Sequence, residues 1–368
     1  MNIVIFGLTV SSSWGNGHAT LWRGLCKHLT REGHRVVFFE RDVPYYADTR
    51  DLKELPGGGG LVLYPNWEII KSTACNALRD ADAAIVTSYC PDGLRAAAMM
   101  LEQPGLLKIF YDLDTPVTLA QLRDGAELSY IGPDGLSGFD LVLSFTGGPR
   151  LMEEYGRKLG ARRIEPLYGH VDPDIHRPVP SRPHYLSDLS YLGTYSGDRQ
   201  HTLENLFVQP ARERRDRRFL IGGAQYPHDF PWSPNIHFVR HLPPAEHAAF
   251  FASSRLTLNV TRRAMAEMGW CPSGRLFEAA ACGAPIISDR WDGIETFFRP
   301  GDEILLADNA TDVLAALSRD DDDLHFMARR ARERTLDEHS SAKRAMELIA
   351  LMEQTRTSDA ATHAIEEV

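Results

Sequence analysis

A chain of 368 residues is longer than one ordinary hydrophobic core organises, so two domains are expected. A formal charge of −10, from 40 Lys and Arg against 50 Asp and Glu, argues against nucleic acid or an anionic membrane as the main partner. Five cysteines with no C-x-x-C pair fit mostly buried thiols in a reducing compartment rather than a disulfide framework.

Met1 leads straight into a strand, which leaves no place for a signal peptide, and no run approaches the roughly 18 apolar residues of a membrane span. A cytoplasmic protein is expected. Residues 2–7 (NIVIFG) read as a buried strand. The loop 8–18 is rich in Ser and Gly and ends in Gly15-Asn16-Gly17-His18, whose glycines permit close backbone approach to a ligand. A helix over 19–31, a stop at Gly33 and a strand over 35–40 complete a Rossmann-like opening.

The same loop begins a G-x-G-x-x-G fingerprint, and Glu40 lies at about the distance of a ribose-binding acid. Thr20 occupies the third glycine position, however, and the loop is too long. The preferred reading is an acceptor-side loop of Trp14, Gly15, Asn16 and Gly17, with His18 as a base or phosphate partner. A His at a helix start is also commonly structural.

Apolar strands follow at 61–64, 84–88, 107–111, 141–145 and 164–167. Helical patterns lie between most of them, which predicts a parallel sheet. Asp112-Leu113-Asp114 follows one strand as a D-x-D, a pair that elsewhere holds Mn²⁺ or Mg²⁺ on donor phosphates. Here Asp114 is read as an acceptor-side base or orienter and Asp112 as a cap. The chain has no zinc signature, and no metal is expected.

Pro166, Pro173, Pro178, Pro180 and Pro183 fall within eighteen residues, a density that suits a linker. The expected division is a first domain over 1–168, a hinge over 169–186, a second domain over 187–353 and a frayed tail over 354–368. In the second half, strands are predicted at 189–193, 218–222, 236–239, 256–260, 286–288 and 303–307. Helices are predicted at about 201–215, 245–252 and 274–281.

The most informative stretch is 270–289, WCPSGRLFEAAACGAPIISD. Ser273 is a favoured N-cap before a helix that begins beside the carboxyl end of a strand, where open α/β sheets bind ligands. Gly283 and Pro285 stop that helix. Its N-terminus suits a phosphate, Arg275 adds a charged fork, and Glu278 is placed to accept hydrogen bonds from a ribose diol. An Arg–Glu pair at this spacing is commonly a solvated surface pair; the small residues 279–283, which let the helix approach the sheet, turn the charged pair toward a ligand instead. Tyr195 and Arg199, in YSGDR, offer a second phosphate contact, against the alternative of a plain Asp198–Arg199 turn.

The run LNVTRRAM, PSGRLFEAAACGAPIISD and GIETFF over 258–298, continued by Pro300, Gly301 and Glu303 to Leu305, resembles the CgeB-like (spore maturation) glycosyltransferases of the larger group 1. FERDVPYYADTRDL (39–52), YDLDTPVTL (111–119), FDLVLSFTGGP (139–149), VDPDIHRP (171–178) and SYLGTYSGDRQ (190–200) carry the same likeness. The resemblance implies a GT-B fold, α/β with two Rossmann-like domains facing a central cleft. Donor nucleotide would lie on the C-terminal half and acceptor on the N-terminal half. It implies hexosyl-like transfer from a nucleotide-diphosphate sugar, a co-substrate rather than a cofactor, with the anomeric configuration retained.

In the wider group two acids eight positions apart contact the donor sugar and its ribose. Glu278 matches the second, and Trp270 stands where the first belongs. Glu267, or the segment Asp292-Gly293-Ile294-Glu295, is the expected substitute, and base recognition falls to backbone near His241 and Leu242. The rival readings are a nucleotide-sugar epimerase and a catalytically silent nucleotide-sugar binder. The sugar, base, acceptor and oligomeric state have no readable code.

Overall fold

The structure is a computed structural model that describes residues 1–14 and 17–366, with backbone alone for 359–366. It divides into two compact units, Met1–Tyr168 with Ser341–Val368, and Gly169–Ser340.

In the first unit seven strands among the described residues form one parallel sheet. They are β1 (Asn2–Gly7), β2 (Arg35–Arg41), β3 (Gly60–Tyr64), β4 (Ala83–Thr87), β5 (Leu107–Asp112), β6 (Leu141–Ser144) and β7 (Ile164–Pro166), in the order β3-β2-β1-β4-β5-β6-β7. Every pairing is parallel. The strands read as continuous apolar runs because crossover helices cover both faces; β4 is buried along its whole length. Trp22, on the Gly17–Arg31 helix, packs edge-on against Phe38 and Tyr111 at 5.7 and 5.9 Å.

The second unit has a six-stranded parallel sheet among its described residues. Its strands are β8 (Leu189–Leu192), β9 (Phe219–Gly223), β10 (Ile236–Arg240), β11 (Thr257–Asn259), β12 (Ile286–Asp289) and β13 (Leu305–Ala307), in the order β10-β9-β8-β11-β12-β13. The core joins Leu189, Tyr191, Phe219, Leu258 and Ile287 from one face of the sheet with Phe207 from the segment packed on it. In each sheet the strand order reverses direction once, between β1 and β4 and between β8 and β11. The carboxyl ends of these strands are the ligand-binding edge of open α/β sheets.

The division falls after Tyr168 and again after Ser340. The second unit ends at Ser340 rather than 353. The helix Ser341–Glu366 returns to pack on Gly17–Arg31, burying Ala345, Leu348 and Met352. The expected frayed tail is helical through Glu366. Residues 169–186 are not a free linker either: Val171, His176 and Tyr185 are buried within the second unit.

The helix expected over 201–215 is a compound one: Gln200–Leu203, a π turn over Glu204–Val208, then Gln209–Glu213. Pro210 has no amide hydrogen and its ring collides with the carbonyl four residues back, which the wider turn relieves. The same widening lets three consecutive residues, Leu206, Phe207 and Val208, face the core. A short helix, Arg263–Met268, was not expected from the sequence. No helix among the described residues is long and apolar enough to cross a membrane.

Candidate functional site

Each unit presents charged residues at its own strand-order reversal, and each set is described separately. In the first unit the β1 loop is fastened from beneath by Glu40. This fully buried carboxylate accepts hydrogen bonds from the Thr9 and Ser11 hydroxyls and from the Val10 and Ser11 amides, at 2.5–2.9 Å. Both oxygens are consumed by the loop, so Glu40 has no capacity left for a ribose diol. The dinucleotide reading fails for that reason. Gly15 and Asn16 lie outside the described residues. Trp14 is partly exposed and Gly17 opens the helix.

Beyond the loop the structure joins two residues that the sequence left apart. His18 Nε2 lies 3.1 Å from Asp114 Oδ2, and the Ser88 hydroxyl donates to the same oxygen at 2.9 Å. Ser88 follows β4 and Asp114 stands at the head of the Thr115–Arg123 helix after β5, so three strand ends converge on the pair. Ser88 Oγ also accepts from the Leu113 amide at 3.0 Å, which fixes the turn carrying Asp114.

The D-x-D is not a metal pair, because its two carboxylates have different surroundings. Asp112 is fully buried, accepts a hydrogen bond from the Tyr155 hydroxyl through one oxygen, and takes the Asp114 amide at 2.8 Å through the other. Its expected role as a cap is corrected to that of an internal brace. Burial first, and the charge of Asp114 second, raise its pKa from 3.8 to about 6. The proton is therefore held more tightly in the folded state. The penalty for ionising is absent below the usual carboxylate range, grows as pH rises through it, and is complete above about 6. Asp112→Asn cannot ionise, so it should gain stability relative to the parent between pH 4 and 8, by about 3 kcal/mol at most. Urea melts of both proteins across that range test this, and a constant difference would refute it.

In the second unit the Gly274–Ala281 helix forms as the sequence predicts. It ends in a Schellman pair: Gly283 N–H donates to Ala280 O at 2.9 Å and Ala284 N–H to Ala279 O at 3.1 Å, with Gly283 left-handed at φ +75°. Ala279, Ala280 and Ala281 are buried against the sheet. Ser273 stands at the N-cap position, but its hydroxyl makes no capping bond. The Leu276 amide donates to Ser273 O at 3.0 Å, which leaves the Gly274 and Arg275 amides of the first turn available to an outside anion. A methyl placed on Gly274 would meet no described atom within 4 Å, so the turn is open in front.

Two arginines converge beside that turn. Arg199 is 7% exposed; Nη1 donates to the Tyr191 hydroxyl at 3.1 Å, and Nε has no partner among the described residues. Arg275 is half-buried and forms no hydrogen bond or ion pair with any described residue. Burial first, and the positive charge of Arg199 second, lower its pKa. Gathering two poorly solvated cations, with Glu278 nearby but ion-paired to neither, carries a cost that a bound anion lowers. The Gly197–Arg199 turn is itself anchored by Asp198, which accepts from the Arg263 amide at 3.2 Å and lies 3.4 Å from Arg262 Nε.

The surface-pair alternative for Arg275 and Glu278 is not what the structure shows: the two make no ion pair, and both are partly buried. Glu278 faces His176 and His247 instead. His176 Nε2 lies 4.0 Å from its carboxylate, and burial, opposed by the Glu278 charge, lowers the pKa of His247. Neither histidine was singled out from the sequence: they sit 71 residues apart, His176 in the Pro-rich stretch read as a hinge and His247 on a predicted helix.

Other expected contacts fall differently. The Tyr195 ring packs edge-on against Tyr226 and Phe230 at 5.6 and 6.5 Å, shaping the loop from the core side. Trp270 adopts φ +42°, and its amide donates to Asp292 O at 2.7 Å. Its ring lies so close to Gly293 (φ +87°) that a Cβ there would come within 2.5 Å of it. Only glycine fits. The Trp270 segment and the Asp292–Gly293 turn are thus one packed unit, with Asp292 exposed. Glu267 is exposed and pairs with Arg263 at 3.0 Å, four residues before it on the same short helix.

Residues 199–350 match a family model described as glycosyl transferase-like. That span contains Arg199, Ser273, Arg275, Glu278, Asp292 and Gly293; His18 and Asp114 lie outside it. No curated protein matches the chain. Among solved structures it is similar to a sucrose-phosphate synthase from Thermosynechococcus elongatus, with a TM-score of 0.68 at 14% identity, covering 97% of this chain and 99% of that one. It is also similar to HepE of Anabaena in complex with UDP and glucose, with a TM-score of 0.64 at 12% identity, covering 96% and 100%. A glycosyltransferase from Rickettsia africae gives 0.63 at 10% identity, covering 96% and 98%. At these identities the likeness establishes the fold: two parallel α/β sheets of GT-B type, glycosyltransferase-like in sequence over residues 199–350.

Proposed function

We propose that this protein is a glycosyltransferase that moves a sugar from a nucleoside-diphosphate sugar to an acceptor. One observation carries the reading: Arg199 and Arg275, without a carboxylate partner among the described residues, stand beside an uncapped helix N-terminus with open space before it. A diphosphate satisfies both cations and the first-turn amides together. It is also the leaving group, so the same contacts stabilise the charge that develops as the glycosidic bond breaks.

Glu278 is assigned to the ribose hydroxyls. Similar structures hold UDP or UDP-glucose, which makes a UDP-sugar the first donor to try. The finer placement among the CgeB-like enzymes, and hexosyl transfer in particular, rest on the sequence segments quoted above. Ser273 and the Asp292–Gly293 turn flank the donor, and no resident cofactor is invoked.

In the first unit, His18 with Asp114 is assigned to the acceptor. An imidazole that gives one N–H to a carboxylate is held in one tautomer and one orientation. Retention of configuration follows from the resemblance. The His18–Asp114 pair favours a second outcome, inversion, since a base that deprotonates the acceptor hydroxyl suits a single displacement. The anomeric proton coupling in the product distinguishes the two.

A thermal-shift screen of UDP-, GDP-, ADP- and dTDP-sugars tests donor binding. Glu278→Gln should weaken binding of the responding nucleotide by about 1–3 kcal/mol, roughly 5- to 150-fold. Unchanged affinity by calorimetry removes its ribose role. Release of nucleoside diphosphate on adding acceptor separates transfer from silent binding, and a donor altered without acceptor identifies an epimerase.

A further inference from the structure

The fold of the second unit gathers three potential ligands that lie far apart in the chain. One donor atom from each of His176, His247 and Glu278 falls within 4.8 Å of the other two. His176 is 4% exposed, and neither of its ring nitrogens has a hydrogen-bond partner among the described residues. Its Nε2 stands 4.0 Å from Glu278 Oε2, too far for a hydrogen bond. An interior imidazole with both nitrogens unsatisfied is costly, which points to a group that the polypeptide does not supply. At His247 the neighbouring Leu242 backbone and the Glu278 charge favour the protonated ring, against the effect of burial. The two rings are 6.3 Å apart and tilted by 41°, so they converge without stacking.

We propose that His176, His247 and Glu278 form a site for a divalent transition metal of the zinc class, and that this metal competes with the donor nucleotide for Glu278. Two imidazoles and one carboxylate, with a fourth position open, suit zinc rather than the all-oxygen shells of Mg²⁺ or Ca²⁺. Zinc bonds of about 2.0–2.2 Å place tetrahedral ligand atoms roughly 3.4 Å apart, so the three side chains close by about an ångström on binding. Arg275 acts on His247 with its positive charge, which weakens the site for any divalent cation. The metal is an antagonist here, not a cofactor of transfer. Competition rests on the ribose role of Glu278 proposed above; metal binding does not.

The test is calorimetric titration of Zn²⁺ into the metal-free full chain, for the parent, His176→Gln and His247→Gln. One ion per chain is expected, with at least about tenfold weaker binding in each variant, since each loses one of three protein ligands. His247 is half-exposed, so its variant gives a reading even if His176→Gln does not fold. UDP affinity is then measured with and without Zn²⁺. Zinc should weaken it in the parent and much less in His247→Gln, because chelation of free UDP by zinc is common to both. Zinc binding that is absent from the parent, or unaltered in the variants, overturns the metal site, while intact UDP binding keeps the donor reading. Zinc that binds the parent yet shifts UDP affinity equally in both proteins overturns the sharing of Glu278. Zinc binding by a protein that never binds UDP keeps the metal and removes the donor.

Discussion

Arg275→Met is expected to weaken UDP binding by about 1.5–3 kcal/mol, roughly 10- to 150-fold, while the protein melts at the same temperature or higher. The two halves of that expectation have one cause. Arg275 makes no hydrogen bond or ion pair with any described residue, and its charge is disfavoured both by burial and by Arg199. An apolar chain of similar length keeps the packing and removes the repulsion, so the folded protein loses nothing and gains up to a few kcal/mol. The arginine is retained at that expense only if something anionic uses it. Calorimetry with UDP and a thermal melt on the same samples decide the matter. A variant that melts lower and binds UDP as the parent does would show a structural arginine and overturn the diphosphate site. Arg199→Met should weaken UDP binding as well, with some loss of stability, because its Nη1 bond to the Tyr191 hydroxyl at 3.1 Å is lost.

His18→Ala and Asp114→Asn are each expected to lower kcat by about 10²–10⁴-fold with the UDP dissociation constant unchanged. The residues share one contact, His18 Nε2 to Asp114 Oδ2 at 3.1 Å, and are proposed to act as one base. Their double variant should therefore be little worse than the more damaged single one. The loop they stand on is held by Glu40 and Ser88 rather than by the pair, so the variants should fold. Turnover at the parent rate, or a UDP affinity that falls in step with kcat, would remove the pair from acceptor chemistry. Single-turnover measurements at saturating donor give the cleanest comparison.

Much of the fold was legible in the sequence because parallel strands covered on both faces are continuous apolar runs, a one-dimensional signal. The Gly274–Ala281 helix was legible for another local reason: Ser273 marks its start, and Gly283 with Pro285 marks its stop. Where chain-local signals ran out, expectations missed. A single helix is read over 201–215, yet the chain passes Pro210 with a π turn, and three consecutive apolar side chains reach the core together. The polar run after residue 354 reads as a tail, yet the helix it continues buries Leu348 and Met352 in the first unit.

The sequence by itself determined two parallel α/β sheets and the Gly274–Ala281 helix, and it singled out His18, Asp114, Arg199, Arg275 and Glu278 as candidates. Only the tertiary structure decided their company. It joined His18 to Asp114, gave Glu40 entirely to its own loop, sealed Asp112 inside, and set two histidines from unremarkable segments against Glu278. Residue type and spacing define what a side chain is able to do. Its pKa and its partners are set by neighbours that the chain brings from tens of residues away, and those distances enter no local pattern.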